Sequence, residues 1–161
     1  MLWLRGLVFT ALVPFVVGYL APQRLRGASL ATGLWQLGYV LFAAGAALYL
    51  WCLISFLVAG GTPAVFFTRS LSFLIGKEPP DVVVTGAYRY SRNPMYLAVL
   101  AAIFGQALVY RSWSVFLYGS AAALVFHLVV VLLEEPHLTR ARAGYEEYRR
   151  AVPRWIGRLR R

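Results

Sequence analysis

The stretch Leu34–Ala59, LWQLGYVLFAAGAALYLWCLISFLVA, runs for 26 residues without a charged side chain. About 20 apolar residues in a helix cross the roughly 30 Å hydrocarbon core of a bilayer, so this stretch reads as a membrane span. Its Ala43-Ala44-Gly45-Ala46-Ala47 run lets a neighbouring helix come close. Three other apolar stretches, roughly residues 3–20, 94–110 and 114–133, are bounded by Pro, Gly and Arg clusters. The first contains Arg5, which can snorkel to the interface. Its exit, Gly18-Tyr19-Leu20-Ala21-Pro22, lacks the small-x-small pattern of a cleaved signal, which keeps it as a span. The last two are separated by Arg111-Ser112-Trp113 and must form a tight hairpin. The expected fold is an all-α integral membrane protein, a single domain over residues 1–161 with about four transmembrane helices.

Composition agrees with that reading. Hydrophobic residues make up 60% of the chain and charged residues 14%, whereas a soluble domain carries about 25% charged residues. A single Cys excludes an internal disulfide or a multi-thiolate metal site, and two His with six carboxylates argue against a hydrolytic metal centre. The net charge of +10 is read as affinity for an anionic membrane surface, with no nucleic-acid partner expected. With four spans, both termini and the middle loop share one side. That side holds thirteen of the 16 Lys and Arg, and Arg24, Arg26 and Arg111 fall on the other. The positive-inside rule then places both termini, and any site near them, in the cytoplasm.

The middle loop, residues 60–93, is too long for a passive connection. Residues 64–75 are rich in Phe and Leu and read as an interfacial segment. Beyond them come Lys77-Glu78-Pro79-Pro80, a short extended Val82-Val83-Val84 and Gly86. After Leu133, the positions Leu138, Ala141, Tyr145, Tyr148 and Val152 form one helical stripe, with Arg142, Glu146, Glu147, Arg149 and Arg150 opposite. The pattern predicts an amphipathic tail helix over residues 137–151, with Arg142–Glu146 and Glu146–Arg150 spaced to pair. The final Arg158-Leu159-Arg160-Arg161 is expected to contact anionic headgroups.

Three places carry polar groups that a bilayer does not explain, of which the tail stripe with Tyr145 and Tyr148 reads on periodicity as packing more simply than binding. In Tyr88-Arg89-Tyr90-Ser91-Arg92-Asn93-Pro94-Met95-Tyr96, Asn93 as N-cap and Pro94 at the first helical position define a helix start. Its free N–H groups, flanked by Arg89 and Arg92, suit an anion; the plainer account is a capped helix whose arginines touch lipid phosphates. Glu134-Glu135 is the second place. Adjacent carboxylates at a helix C-terminus oppose the macrodipole, so a cation is expected nearby. That cation is either a salt-bridge partner such as Arg89 or Arg92, or an ammonium or sulfonium on a ligand, whose ribose diol the same acids would suit. A span hairpin returns the other two places to one neighbourhood. An anion-binding helix start facing an acidic pair matches S-adenosylmethionine, which has a carboxylate, an amine and a sugar. His127, inside the fourth span, is a weak functional candidate and more simply a hydrogen-bond partner, and Cys52 reads as a small buried hydrophobe.

The residues Val84-Thr85-Gly86-Ala87-Tyr88-Arg89-Tyr90-Ser91-Arg92-Asn93-Pro94-Met95-Tyr96-Leu97, then Glu134-Glu135-Pro136-His137-Leu138, Gly144-Tyr145-Glu146-Glu147-Tyr148 and Val152-Pro153-Arg154-Trp155-Ile156, resemble the isoprenylcysteine carboxyl methyltransferase family. That family is related to the phospholipid N-methyltransferases. The resemblance covers about half the chain, roughly residues 78–157. It implies a helical membrane enzyme that binds S-adenosylmethionine from the cytoplasm and methylates a lipophilic acceptor, foremost the carboxylate of a prenylcysteine-like substrate. A phospholipid amine or small thiol is the alternative acceptor, and a non-catalytic cofactor- or lipid-binding protein the alternative outside enzymes. The family pattern Arg-His-Pro-x-Tyr-x-Gly is met by Arg92, Pro94 and Tyr96, while Asn93 replaces the His and Ala98 the Gly. Asn keeps a hydrogen-bonding side chain but does not titrate.

By this resemblance, Tyr88, Asn93, Pro94, Tyr96, Glu134, Glu135 and Tyr145 contact the cofactor. Arg92 holds the acceptor carboxylate, with Arg89 or Arg140 as a second cation and Tyr148 beside it, and Arg92 and Glu135 are the catalytic candidates. A carboxylate acceptor is already ionised at neutral pH, so positioning can supply most of the rate. An amine or thiol would need deprotonation, for which Glu135 is the nearest base.

Overall fold

A computed structural model describes residues 2–12, 14–63 and 79–156, and within them the chain is helical without a β-strand. Helix α1 (Leu2–Leu12) leads into a π-helical turn, Val16–Leu20, and a single α turn, Ala21–Arg24. Helix α2 spans Trp35–Val58. A 3-10 turn at Gly86–Arg89 precedes α3 (Pro94–Val109), and α4 (Trp113–Val129) follows a tight turn. A π-helical turn, Val130–Glu134, carries α4 directly into α5 (Glu135–Ala141), and α6 (Tyr145–Ala151) comes after a break.

Among the described residues, two helical runs are long and apolar enough to cross a membrane: α2, and the continuous 29-residue run Trp113–Ala141. Helix α3 has 16 residues and covers only about 24 Å at about 1.5 Å per residue. Large apolar side chains remain exposed along α2, α4 and the π turn that follows it, among them Val40, Leu50, Leu117, Leu124 and Leu132. In water such a surface is costly; in lipid it is solvated.

Helices α2 and α3 meet backbone to backbone. A Cβ on Gly45 would lie 2.7 Å from the Ala98 carbonyl oxygen, and one on Gly38 would lie 2.7 Å from that of Gly105. The small-residue run of α2 therefore seats α3, and Ala98 is fully buried with Tyr49, Leu53 and Leu57. The methyl at position 98 thus occupies a helix contact. The kinked start of the chain is fastened to this pair. Gln106 Nε2 donates to the Gly18 carbonyl at 2.6 Å, Tyr118 Oη to that of Val17 at 2.9 Å, and the Thr10 and Tyr49 hydroxyls meet at 2.8 Å. Such bonds satisfy the carbonyls that the π turn frees. At the far end, Ser112 caps α4 by accepting from Val115 N, and the Trp113 amide donates to the Ala28 carbonyl at 2.9 Å.

The tail departs from the sequence reading. In place of one helix over residues 137–151 there are two, α5 and α6, broken at residues 142–144, where Gly144 adopts φ 81°. Steps of three and four persist through the break, so periodicity does not reveal it; glycine's freedom at positive φ permits it. The acidic pair also lies inside a continuous helical run, because the π turn absorbs the expected stop. Val82–Val84 sits in irregular chain, with Val83 buried against Cys52, Ala87 and Tyr88. The expected interfacial segment 64–75 and the basic end 158–161 lie outside the described residues.

Candidate active site

The start of α3 and the end of α4 face each other. Pro94 opens α3 and Asn93 occupies the capping position, but its side chain makes no cap. Asn93 Nδ2 instead donates to the Arg154 carbonyl at 3.0 Å, joined there by Ser91 Oγ at 3.3 Å, while the Arg92 amide donates to the Pro153 carbonyl at 2.9 Å. These bonds draw residues 152–156 alongside the helix start. Trp155 completes the attachment, its indole N–H donating to His127 Nδ1 at 3.2 Å while the two rings stack. His127 is thus a hydrogen-bond acceptor from the C-terminal segment, and Cys52 is fully buried.

This segment delivers Arg154 to Glu135. Arg154 donates through Nε to Oε1 and through Nη2 to Oε2, both at 2.8 Å, and Arg92 Nη1 reaches Oε1 at 2.8 Å from the other side. The Arg92 and Glu135 side chains are each only 7% exposed, so burial strengthens the pairing. Arg92 Nη1 also donates to the Tyr145 hydroxyl at 3.4 Å. Tyr96 donates its hydroxyl proton to Glu134 and packs its ring on Phe126 at 4.8 Å. Tyr148 donates to the Tyr88 carbonyl at 2.7 Å, bringing α6 over the 3-10 turn. Burial, and for Tyr145 the nearby Glu135, push the phenols of Tyr145 and Tyr148 above the usual tyrosine range. The bonds to Glu135 raise the Arg154 guanidinium further still.

A cavity of about 380 Å³ opens between these groups, within the roughly 300–1,000 Å³ usual for small-molecule sites. Tyr88, Arg92, Asn93, Tyr96, Glu134, Glu135, Tyr145 and Tyr148 are among the polar residues that line it. Phe9 and Val17 from the first helical region, with Val99, Val125, Phe126 and Val129, line an apolar part. Val125 precedes Glu134 by nine residues, so the apolar part extends about 13 Å along the helix from the acidic pair. Arg92 Nε is buried in this wall with no hydrogen-bond partner, and a buried donor without an acceptor is costly.

Of the residues singled out from sequence, Pro94 is buried in the first turn of α3 without lining the cavity, and Arg89 is exposed outside it. Arg140 is also exposed and lines a separate open hollow on the outer side of Glu135. Arg154 was not assigned a role by sequence. The need for a cation beside the acidic pair was readable, but Arg154 is one of several arginines in a basic tail. Arg142 donates to the Pro80 carbonyl at 2.6 Å and lines the cavity as well.

The chain matches the family described as Phospholipid methyltransferase over residues 34–143. It belongs to that family. The isoprenylcysteine carboxyl methyltransferases are related to it, so the resemblance of the first two sequence blocks, residues 84–97 and 134–138, and the family match agree. No curated protein and no solved structure gives a significant match. The match takes in α2, α3, α4 and α5, and therefore both Arg92 and the Glu134-Glu135 pair. It ends before Tyr145 and before the segment that carries Arg154. The family makes the chain a membrane-associated methyltransferase.

Proposed function

We propose that the chain transfers a methyl group from S-adenosylmethionine to a lipophilic acceptor, foremost the carboxylate of a prenylcysteine-like molecule. The observation that carries this reading is the unpartnered Nε of buried Arg92 in the wall of a cavity with one polar and one apolar part. An anion bound there would satisfy it. Glu134, with Tyr96 donating to it, and the neighbouring Tyr88, Asn93 and Tyr145 suit an amine and a ribose, so the residues present fit the cofactor. When bound, S-adenosylmethionine supplies an electrophilic methyl carbon on a sulfonium.

The protein's own contribution is placement. Arg92 holds the acceptor carboxylate through its free donor, and Glu135 holds Arg92. The apolar part of the cavity takes the acceptor's hydrocarbon, and Tyr148 closes α6 across the opening. Glu135 already accepts two N–H bonds from Arg154 and forms an ion pair with Arg92, an arrangement that suits a positioning residue better than a base. That favours an acceptor already ionised over a phospholipid ammonium or a thiol. We place the active site on the cytoplasmic face of a four-pass chain, a reading supported by the distribution of Lys and Arg.

Calorimetric titration of the detergent-purified protein with S-adenosylmethionine, followed by transfer of labelled methyl to a prenylcysteine, phosphatidylethanolamine and a small thiol, tests the reading. Binding and a base-labile methyl ester on the prenylcysteine are expected. Label appearing on the phospholipid amine instead would select the family's other acceptor class. Absence of cofactor binding would leave only a non-catalytic lipid-binding role.

A further inference from the structure

Glu135 faces two ways. Among the described residues it alone lines both the cavity and a second hollow on the outside of the helical run, formed by Val131, Pro136, Thr139, Arg140, Arg149 and Arg154. Three guanidiniums thus gather around a floor of Val131 and Pro136. The acidic groups that face them are few. Glu135 is engaged by Arg92 and Arg154, and Glu146 lies 2.9 Å from Arg149 and 3.7 Å from Arg150. The Arg149–Glu146 pair is exposed and therefore weak. Arg140 is exposed and forms no ion pair among the described residues, so the hollow has an excess of positive charge.

Directly before it, the helix exposes Leu128 and Leu132. A cationic hollow at the head of a bare apolar helix face is complementary to one kind of molecule, with phosphate at one end and hydrocarbon at the other. We propose that this hollow binds the headgroup phosphate of an anionic phospholipid whose acyl chains lie along Leu128 and Leu132. The site adjoins the methyl-transfer cavity across Glu135 but opens on the other side of it, and its lipid is a bound companion of the fold, not an acceptor.

Native mass spectrometry of the full chain tests this, with the detergent-purified protein offered phosphatidylglycerol or phosphatidylcholine of matched chains. Retention of phosphatidylglycerol over phosphatidylcholine is expected. Each arginine near an anionic surface contributes about fivefold in affinity, so Arg140→Ala/Arg149→Ala is expected to reduce the preference about 25-fold. Both residues are exposed, and an unchanged circular dichroism melt is expected to show that the variant folds. The control Arg24→Ala/Arg26→Ala removes the same charge at the opposite end and is expected to keep the preference. Equal retention of the two lipids by the unmodified protein would overturn the proposal, as would an equal loss in the control. Displacement of the lipid by excess inorganic phosphate would also overturn it, by assigning the hollow to free anions.

Discussion

Two guanidiniums converge on the Glu135 carboxylate, and the consequences of removing any member differ. Glu135→Gln leaves buried Arg92 facing an amide; a buried charge stripped of its partner costs about 3–5 kcal/mol, so a clear drop in the thermal unfolding midpoint in detergent is expected, alongside weaker ligand binding. An unchanged midpoint would contradict the burial argument. Arg92→Ala keeps Glu135 paired with Arg154. If Arg92 holds the acceptor, turnover is expected to fall about 10- to 100-fold, the worth of a charged hydrogen bond, with a smaller change in cofactor affinity; equal losses would reassign Arg92 to the cofactor. Tyr145 and Tyr148 are pushed upward by burial, which favours their neutral form in the fold. Their contribution to stability is then constant below the unfolded tyrosine value of about 10 and is lost as pH rises through the higher folded values. Melting curves taken upward from neutral pH are expected to be flat in this respect until that range. At this scale the site was legible wherever a residue broke a local rule: paired acids in an apolar run, and arginines beside a helix start. Arg154 broke none, since one more arginine in a basic tail carries no signal of its own.

Among the elements, the junction of α2 and α3 is set by small residues, with Gly38, Gly45 and Gly105 at its close approaches. Gly45→Val would drive its side chain into the Ala98 carbonyl and the Ala102 amide. Overpacking of this kind costs about 1–3 kcal/mol, so the variant is expected to unfold at lower temperature and to lose activity through displacement of α3, on which Arg92 and Tyr96 depend. Normal melting would show that the helices can separate without cost. The Ala-Gly run made this contact readable in advance. The π turn at Val130–Glu134 was not readable, because Glu134-Glu135-Pro136 has the composition of a helix end. Such turns often accompany functional sites; here it ends at the residue that receives the Tyr96 hydroxyl. The break at Gly144 was hidden for a related reason, since apolar spacing continued across it.

The whole molecule offers a direct check on sidedness, because its one cysteine, Cys52, is fully buried and leaves little background. Under the four-pass arrangement, Arg24→Cys is expected to react with an impermeant maleimide applied outside intact cells. Glu147→Cys is expected to react only after permeabilisation, and labelling of both from outside would refute it. Hydropathy made the membrane class plain, whereas the joining of distant residues at the cavity depended on bonds between side chains and carbonyls that no periodicity records. One of those joins has a temporal implication. The residues of α3 and α4 are synthesised before residues 152–156, yet the later ones bring the second cation to Glu135 and the indole to His127. Glu135 therefore has Arg92 as its one close cation until Arg154 arrives, and a chain truncated before residue 152 is expected to keep its helices without acquiring a finished binding chamber.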